Sequence, residues 1–446
     1  MRQILWFRRD LRVEDSALLQ NAKDKVLPIF IFDKNILNSL PKEDKRVNFI
    51  YKSVIKLKKE LQKIGLDLAV FYAEPKEVFT TLQKLNIDEV LCSVDFDSYA
   101  KKRDKEIEKI IPIKRYLDSF ILDPKDHLKK DKTPYKVFTP FFNSLDAITQ
   151  AANIELKKRN YNLKLIDFDY SNTPTLESLG FKKTTLPDFL EKDAFCLLEE
   201  FSKKVETYEV QRDYFYKEAS SKISVHLRFG LISPLMIFNY IKRFPNSDFF
   251  IRELFWREFY NYILFHFPNS QFENFNGINI KWNEDKEDFE RWCKGETGIP
   301  IIDAAMRHLN KTGVMHNRLR MVVASFLTKN LFIDWKKGEE YFALKLLDFE
   351  ASSNIGSWQW SASTGADAVP YFRVFNPYTQ SKKFDKDGIF IKSVIKELKE
   401  VDSKLFHIEN AVQRNLFVDY PKAMVDISLS RKRSIEKYKE AKNETL

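Results

Sequence analysis

Gly313-Val314-Met315-His316-Asn317-Arg318-Leu319-Arg320-Met321, an apolar run to Ile333-Asp334-Trp335, and then Asp348-Phe349-Glu350-Ala351-Ser352-Ser353-Asn354-Ile355-Gly356-Ser357-Trp358-Gln359-Trp360 form the stretch around which this chain is organised. Helical spacing puts Asn317, Arg320 and Met321 at i, i+3 and i+4, on one face of one helix. An arginine that faces inward needs a carboxylate, and Asp348 is the candidate partner. The stretch closes on a basic exit, Pro370-Tyr371-Phe372-Arg373-Val374-Phe375-Asn376-Pro377 followed by Gln380-Ser381-Lys382-Lys383.

Upstream, the helical spacing of residues 250–265 places Glu253, Trp256, Arg257 and Tyr260 at i, i+3, i+4 and i+7. They share one face, while Leu254, Phe255, Phe259 and Ile263 supply the packed side. A carboxylate, an indole and a guanidinium on one face fit either a solvated surface or a lined cavity. Helical signals dominate from residue 199 to about 425, which predicts an all-helical domain, with residues 426–446 a short charged tail. Residues 124–198 carry scattered prolines and charge runs and read as a connector, with Pro140-Phe141-Phe142 packed against something.

Residues 1–123 read differently. Buried-strand runs at 4–7, 26–32, 68–72 and 89–94 alternate with amphipathic helices at 44–61 and 101–111, which predicts a doubly wound parallel-sheet α/β domain. No two of the 11 glycines are separated by a single residue, and no pair has the spacing of GxSxG or GxxxxGK. A dinucleotide fingerprint, a nucleophile elbow and a phosphate loop are therefore excluded.

The 446 residues allow two or three domains with sizeable cores, and the net charge of +10 suits a polyanionic partner or simply a lysine-rich surface. Cys92, Cys196 and Cys293 lack CxxC or ligand-type spacing, so neither a disulfide framework nor a metal site is expected. With no signal-peptide pattern and no long apolar run, the expected setting is soluble and cytoplasmic, with no membrane. Ser220-Ser221-Lys222-Ile223-Ser224 gathers hydroxyls and amides near a helix start and suits either helix capping or the holding of phosphate oxygens.

Several of these words, in the same order, resemble the DNA photolyase and cryptochrome family, and within it the class I cyclobutane pyrimidine dimer photolyases. Trp6-Phe7-Arg8-Arg9-Asp10-Leu11-Arg12 resembles the family's opening, Arg252-Glu253-Leu254-Phe255-Trp256-Arg257-Glu258-Phe259-Tyr260 its central helix, and residues 313–360 its flavin-binding half. The resemblance implies an α/β domain followed by an all-helical FAD-binding domain, a flavoprotein lyase active in DNA repair under blue light, and DNA containing pyrimidine dimers as partner. A monomer is expected.

Residue by residue, the resemblance gives FAD to Tyr208, Ser220, Ser221, Lys222, Ile223, Ser224, Arg320, Asp348, Phe349, Glu350 and Asn354, with Asn354 facing flavin N5. Many relatives have Asp in place of Glu350. Glu253 would hydrogen-bond the dimer, Trp256 and Trp360 would sandwich it, and Met321 belongs to the same pocket. Trp282, Trp335 and Trp358 match an electron relay of three tryptophans. Arg212, Arg257, Tyr260, Asn317, Arg318 and Gln380, with Glu253 and Trp256, would meet DNA; Arg373, Lys382 and Lys383 are further candidates for the rim. The (6-4) photolyases carry a His-His pair where this chain has His316-Asn317, which points to cyclobutane dimers. A second, antenna chromophore is left undecided: folate-using members carry Asn-Glu where this chain has Tyr99-Ala100, so a deazaflavin, another chromophore or none is expected. The rival readings are a cryptochrome-like photoreceptor without repair activity and a basic nucleic-acid-binding protein without catalysis.

Overall fold

Leu5 and Phe7 point to one side of the first strand and Ile4 and Trp6 to the other, and all four are buried, which makes it the centre of a sheet covered on both faces. The computed structural model describes residues 1–151, 153–415 and 418–445. They divide into two compact units: Met1–Pro134, Phe142–Glu206 and Ser221–Glu258 form the first, and Tyr135–Phe141, Thr207–Ser220 and Phe259–Leu446 the second.

In the first unit, β1 (Arg2–Phe7), β2 (Lys25–Asp33), β3 (Ala69–Ala73), β4 (Glu89–Ser93) and β5 (Ile113–Tyr116) pair in the order β3-β2-β1-β4-β5, every pair parallel. A two-residue strand, β6 (Lys164–Leu165), pairs with the first residues of β2. The pleat sends Leu5, Phe7, Phe30 and Phe32 into one core and Ile4, Trp6, Ile29 and Ile31 into the other. Helices α1 (Lys45–Lys63), α2 (Pro75–Leu82) and α3 (Ser98–Glu108) belong to this unit. Asp44 caps α1, its Oδ1 accepting from Arg46 N at 2.8 Å.

β1 and β4 lie at the switch point, where the strand order reverses and such sheets bind ligands at the carboxyl ends. Here those ends are closed by ion pairs. Arg8 meets Asp104 at 2.6 Å, Arg9 meets Asp95 at 3.0 Å and Arg12 meets Asp118 at 2.7 Å. Tyr99 donates to Asp33 at 2.5 Å.

Further along, α4 (Asp248–His266) is followed by α5 (Pro300–Thr312), α6 (Asn317–Ser325), α7 (Trp335–Lys345), α8 (Ala351–Ser361), α9 (Pro377–Phe384) and α10 (Ile427–Thr445). One core runs through the second unit from Trp292 and Ile301 to Trp358 and Ile427. A π-helical segment, Phe326–Asn330, continues α6, and its five residues are all buried, Lys329 among them. The Lys329 ammonium donates to the Arg373 carbonyl at 3.0 Å, and burial lowers its pKa to about 7.

The packing expected for Phe141 is found, whereas the tail differs from the sequence expectation. Within the expected connector, Phe141 is fully buried, its ring 5.1 Å from Tyr262 and 5.3 Å from Phe259. The expected charged tail is the helix α10, whose Ser430, Ser434, Tyr438 and Ala441 form a buried stripe at helical spacing. That stripe is held by polar contacts: Asn330 donates to Ser430 Oγ at 2.9 Å, and Tyr438 donates to the Ala362 carbonyl at 2.5 Å. Hydropathy does not reveal a face built from serines. No described helix is long and apolar enough to cross a membrane.

Candidate functional site

The second unit gathers most of the residues singled out by sequence. Helix α6 starts at His316, whose Nδ1 accepts from Arg318 N at 3.2 Å and whose ring lies 5.6 Å from Phe215. A further hydrogen bond joins His316 to the Arg212 backbone, and burial lowers its pKa to about 4, so the imidazole is a neutral cap. Arg318 is a brace: its guanidinium meets Asp213 at 2.6 Å and Gln380 Oε1 at 3.4 Å, and lies 4.5 Å over the Phe384 ring. His316 and Arg318 thereby tie the segment carrying Tyr208 and Arg212 to α6 and α9. Arg212 itself lies 5.6 Å over the Tyr208 ring. Asn317 is exposed, and Met321 is half-buried on the same helix.

Arg320 makes the predicted pair. Its Nη2 reaches Asp348 Oδ1 at 3.0 Å and Oδ2 at 2.8 Å, while Nε donates to the Met315 carbonyl at 2.9 Å. The helix α8 follows Asp348 and Phe349, with Glu350 as its first flanking residue; Glu350 is buried, and Ser353 Oγ donates to it at 3.3 Å.

One turn into α8, Asn354 is buried and its Nδ2 donates twice, to the Glu339 carbonyl at 3.0 Å and to Glu339 Oε1 at 2.8 Å. Burial pushes the Glu339 carboxyl up to about 7. Glu339 was missed by sequence reading, although it stands four residues after Trp335 and so on the same face of α7.

Trp358 packs against α7 at Gly338, where an added Cβ would lie 2.2 Å from the indole; no other residue lets the helices approach so closely. Trp335, one turn earlier on α7, is buried and donates its Nε1 hydrogen to Asn274 Oδ1 at 2.8 Å. Trp282 is partly buried, 5.0 Å from Phe332 and 6.2 Å from Tyr438. Among the described residues, the rings against Trp358 are Phe342 at 5.0 Å and Trp292 at 6.1 Å, so the three relay candidates are separate indoles in one unit. Trp360 is half-buried, two residues beyond Trp358. Between them Gln359, also missed, clamps a loop by donating to the Ser270 carbonyl at 2.6 Å and accepting from Phe275 N at 2.9 Å.

The other candidates belong to the first unit or to α4. Along α4, Leu254, Phe255, Glu258 and Phe259 are buried, while Glu253, Trp256, Arg257 and Tyr260 are half-buried, the face that their spacing predicts. Arg257 donates to the Ser119 carbonyl at 2.7 Å and lies 4.6 Å over the Phe120 ring. Glu258 accepts from Ile121 N at 3.0 Å and Leu122 N at 3.2 Å; its place on the apolar side of α4 was the available signal. Ser221, Lys222, Ile223 and Ser224 precede or open a short helix, Ser224–Arg228, that has no side-chain cap. Ser221 Oγ accepts only a long contact from Ile223 N, at 3.5 Å, and Lys222 is held at a left-handed φ of 54°. Ser220 belongs to the second unit and is exposed.

Comparison with known proteins bears on the whole chain. The family described as "FAD binding domain of DNA photolyase" matches residues 250–440, and that described as "DNA photolyase" matches residues 3–158. A deoxyribodipyrimidine photo-lyase of Alkalihalophilus pseudofirmus is 34% identical over 471 aligned residues, covering 98% of this chain and 97% of the relative. The crystal structure of an archaeal photolyase from Sulfolobus tokodaii, with two FAD molecules, superposes with a TM-score of 0.85 at 33% identity, covering 99% of this chain and 100% of that one. A cryptochrome of Synechocystis sp. PCC6803 superposes with a TM-score of 0.87 at 27% identity, covering 98% and 99%.

Proposed function

This chain belongs to the DNA photolyase family, and from that premise we propose that it is a deoxyribodipyrimidine photo-lyase that repairs cyclobutane pyrimidine dimers, acting as a monomer. It binds FAD through its helical half. The residues present fit that group: Asn354 has both amide hydrogens committed to Glu339, so its Oδ1 remains as an acceptor, and the Arg320–Asp348 pair offers a fixed charge pattern before α8. This Asn354 geometry is the observation that carries the reading. When bound, FAD supplies the light absorption and the electron that splits the dimer.

The protein's part is orientation. Asn354 is proposed to face flavin N5, with Arg320, Asp348, Phe349, Glu350, Tyr208 and residues 220–224 holding the remainder. Trp282, Trp335 and Trp358 are proposed to carry electrons inward from the surface. Photolyases flip the lesion out of the duplex, and a poorly paired dimer costs less to extrude than a normal pair. Glu253 is proposed to hydrogen-bond the dimer, and Trp256 and Trp360 each to stack on its bases, with Met321 in the same pocket. Asn317, Arg212 and Gln380 are proposed to meet DNA, as are Tyr260, Arg257 and Arg318, the last two from braced positions. Asn317 in place of a second histidine leaves no imidazole pair for proton transfer and supports cyclobutane dimers over (6-4) products. No second chromophore is assigned.

The test is repair of a thymine-dimer oligonucleotide by the reduced, FAD-loaded protein, with and without blue light, beside a (6-4) substrate. Light-dependent loss of the cyclobutane dimer alone is expected, together with loss of that activity in Glu253→Ala. The likeness to a cryptochrome favours one alternative, a photoreceptor without repair activity. Bound, reducible flavin with no repair of either lesion would establish it in place of the first reading.

A further inference from the structure

A lysine is rarely buried completely, because taking its amine out of water is costly unless a partner receives it. Lys329 is 0% exposed and lies on a π-helical turn, a distortion frequent at functional sites. Among the described residues, its amine has one hydrogen-bond partner, the Arg373 carbonyl at 3.0 Å. Ser325 stands four residues earlier, beside Lys329 on the helix surface, and its Oγ accepts from Phe375 N at 3.3 Å. Both contacts end on the basic exit segment, at alternate residues.

That segment has its backbone held and its side chains turned out. Residues 370–373 form a turn, in which Arg373 N donates to the Pro370 carbonyl at 2.9 Å. Tyr371, within the turn, stacks on the buried Tyr438 of α10, the ring centroids 5.9 Å apart. Phe372 and Arg373 are exposed. Arg318 is already braced by Asp213, whereas the Arg373 guanidinium meets no carboxylate among the described residues.

We propose that Lys329 is a positioning residue for DNA binding, anchoring the Arg373 backbone so that the guanidinium stands at the rim ready for a phosphate; this rests on the DNA reading given above. A phosphate contact from a loose loop loses affinity to the entropy of ordering that loop, and an anchored carbonyl removes part of the loss. Burial lowers the Lys329 pKa to about 7, and an amine donates whether or not it is ionised, so the anchor persists through neutral pH.

The experiment measures binding and light-driven repair of a thymine-dimer duplex by FAD-loaded native protein, Lys329→Met, Arg373→Ala and the double variant. Lys329→Met fills similar space without a donor. It is expected to raise Kd and KM about fivefold, the equivalent of one net hydrogen bond, with flavin content and kcat unchanged. The double variant is expected to bind no more weakly than Arg373→Ala, because the lysine acts through that arginine. Ser325→Ala, which cuts the second tether, is expected to weaken binding about twofold; crossed with Arg373→Ala in the same way, it carries the test should Lys329→Met fold poorly. Losses that add in the double variant, a fall in kcat in place of a rise in KM, or native binding by both Lys329→Met and Ser325→Ala would overturn the proposal. A native chain that binds no dimer-containing duplex would instead sink the functional reading itself.

Discussion

Ionisable groups in the two units are used in opposite ways. At the carboxyl ends of β1 and β4, guanidinium meets carboxylate three times over, with Arg12 and Asp118 only 4% and 0% exposed. In the helical unit, three polar groups instead have one partner and one capability left over. Asn354 keeps an acceptor, Glu339 has its carboxyl pushed up to about 7, and Lys329 has its ammonium lowered to about 7 with a single carbonyl. Burying charge in opposed pairs builds a scaffold; burying it half-satisfied stores electrostatic preorganisation where chemistry can draw on it.

Substitution at Asn354 should break this contrast most visibly. Asn354→Ala is expected to lower the light-driven repair rate on the order of 10²-fold, the scale of a lost preorganised polar group, with little change in the urea midpoint. Asp118→Ala is the converse. It removes one partner of a buried pair and the acceptor for Ala17 N at 2.8 Å, so unfolding should show a loss of about 3–5 kcal/mol, while the folded fraction turns over normally.

Acid sharpens the comparison further, because His316 in the second unit and Asp10 in the first respond with opposite sign. His316 has its folded pKa lowered from 6.5 to about 4, so the unfolded chain takes up the proton first, and this contribution to stability is lost as pH falls from 6.5 toward 4. At pH 5 the loss is about 2 kcal/mol. Asp10 is raised from 3.8 to about 6 by burial and by Asp118, so the folded state binds its proton first and gains stability as pH falls from 6 toward 3.8. Urea titrations at pH 7 and pH 5 should therefore show His316→Asn, a cap that does not titrate, flattening the acid loss and Asp10→Asn steepening it.

Much of this was legible in the chain. The strand at residues 4–7 is the core of Arg2–Phe7, because a buried parallel strand is an unbroken apolar run. The face of Glu253, Trp256, Arg257 and Tyr260 followed from helical spacing alone, and so did the demand of Arg320 for Asp348. Other parts left no such trace. β5 is an edge strand with Lys114 and Arg115 exposed, so it lacks the apolar signature. α10 buries serines, and its composition reads as solvated charge.

Local periodicity and residue chemistry, which the sequence carries by itself, determined the two classes of architecture, the faces of the helices and the family to which the chain belongs. Pairings between residues far apart in sequence were decided only by the tertiary structure, since they depend on which helices pack together. Asn354 is oriented by a glutamate fifteen positions away, on a helix held in place by an indole lying over a glycine. Arg257 and Arg318 carry the same charge as any solvated arginine; their braced positions exist only because Ser119, Asp213 and Gln380 are brought to them by the fold.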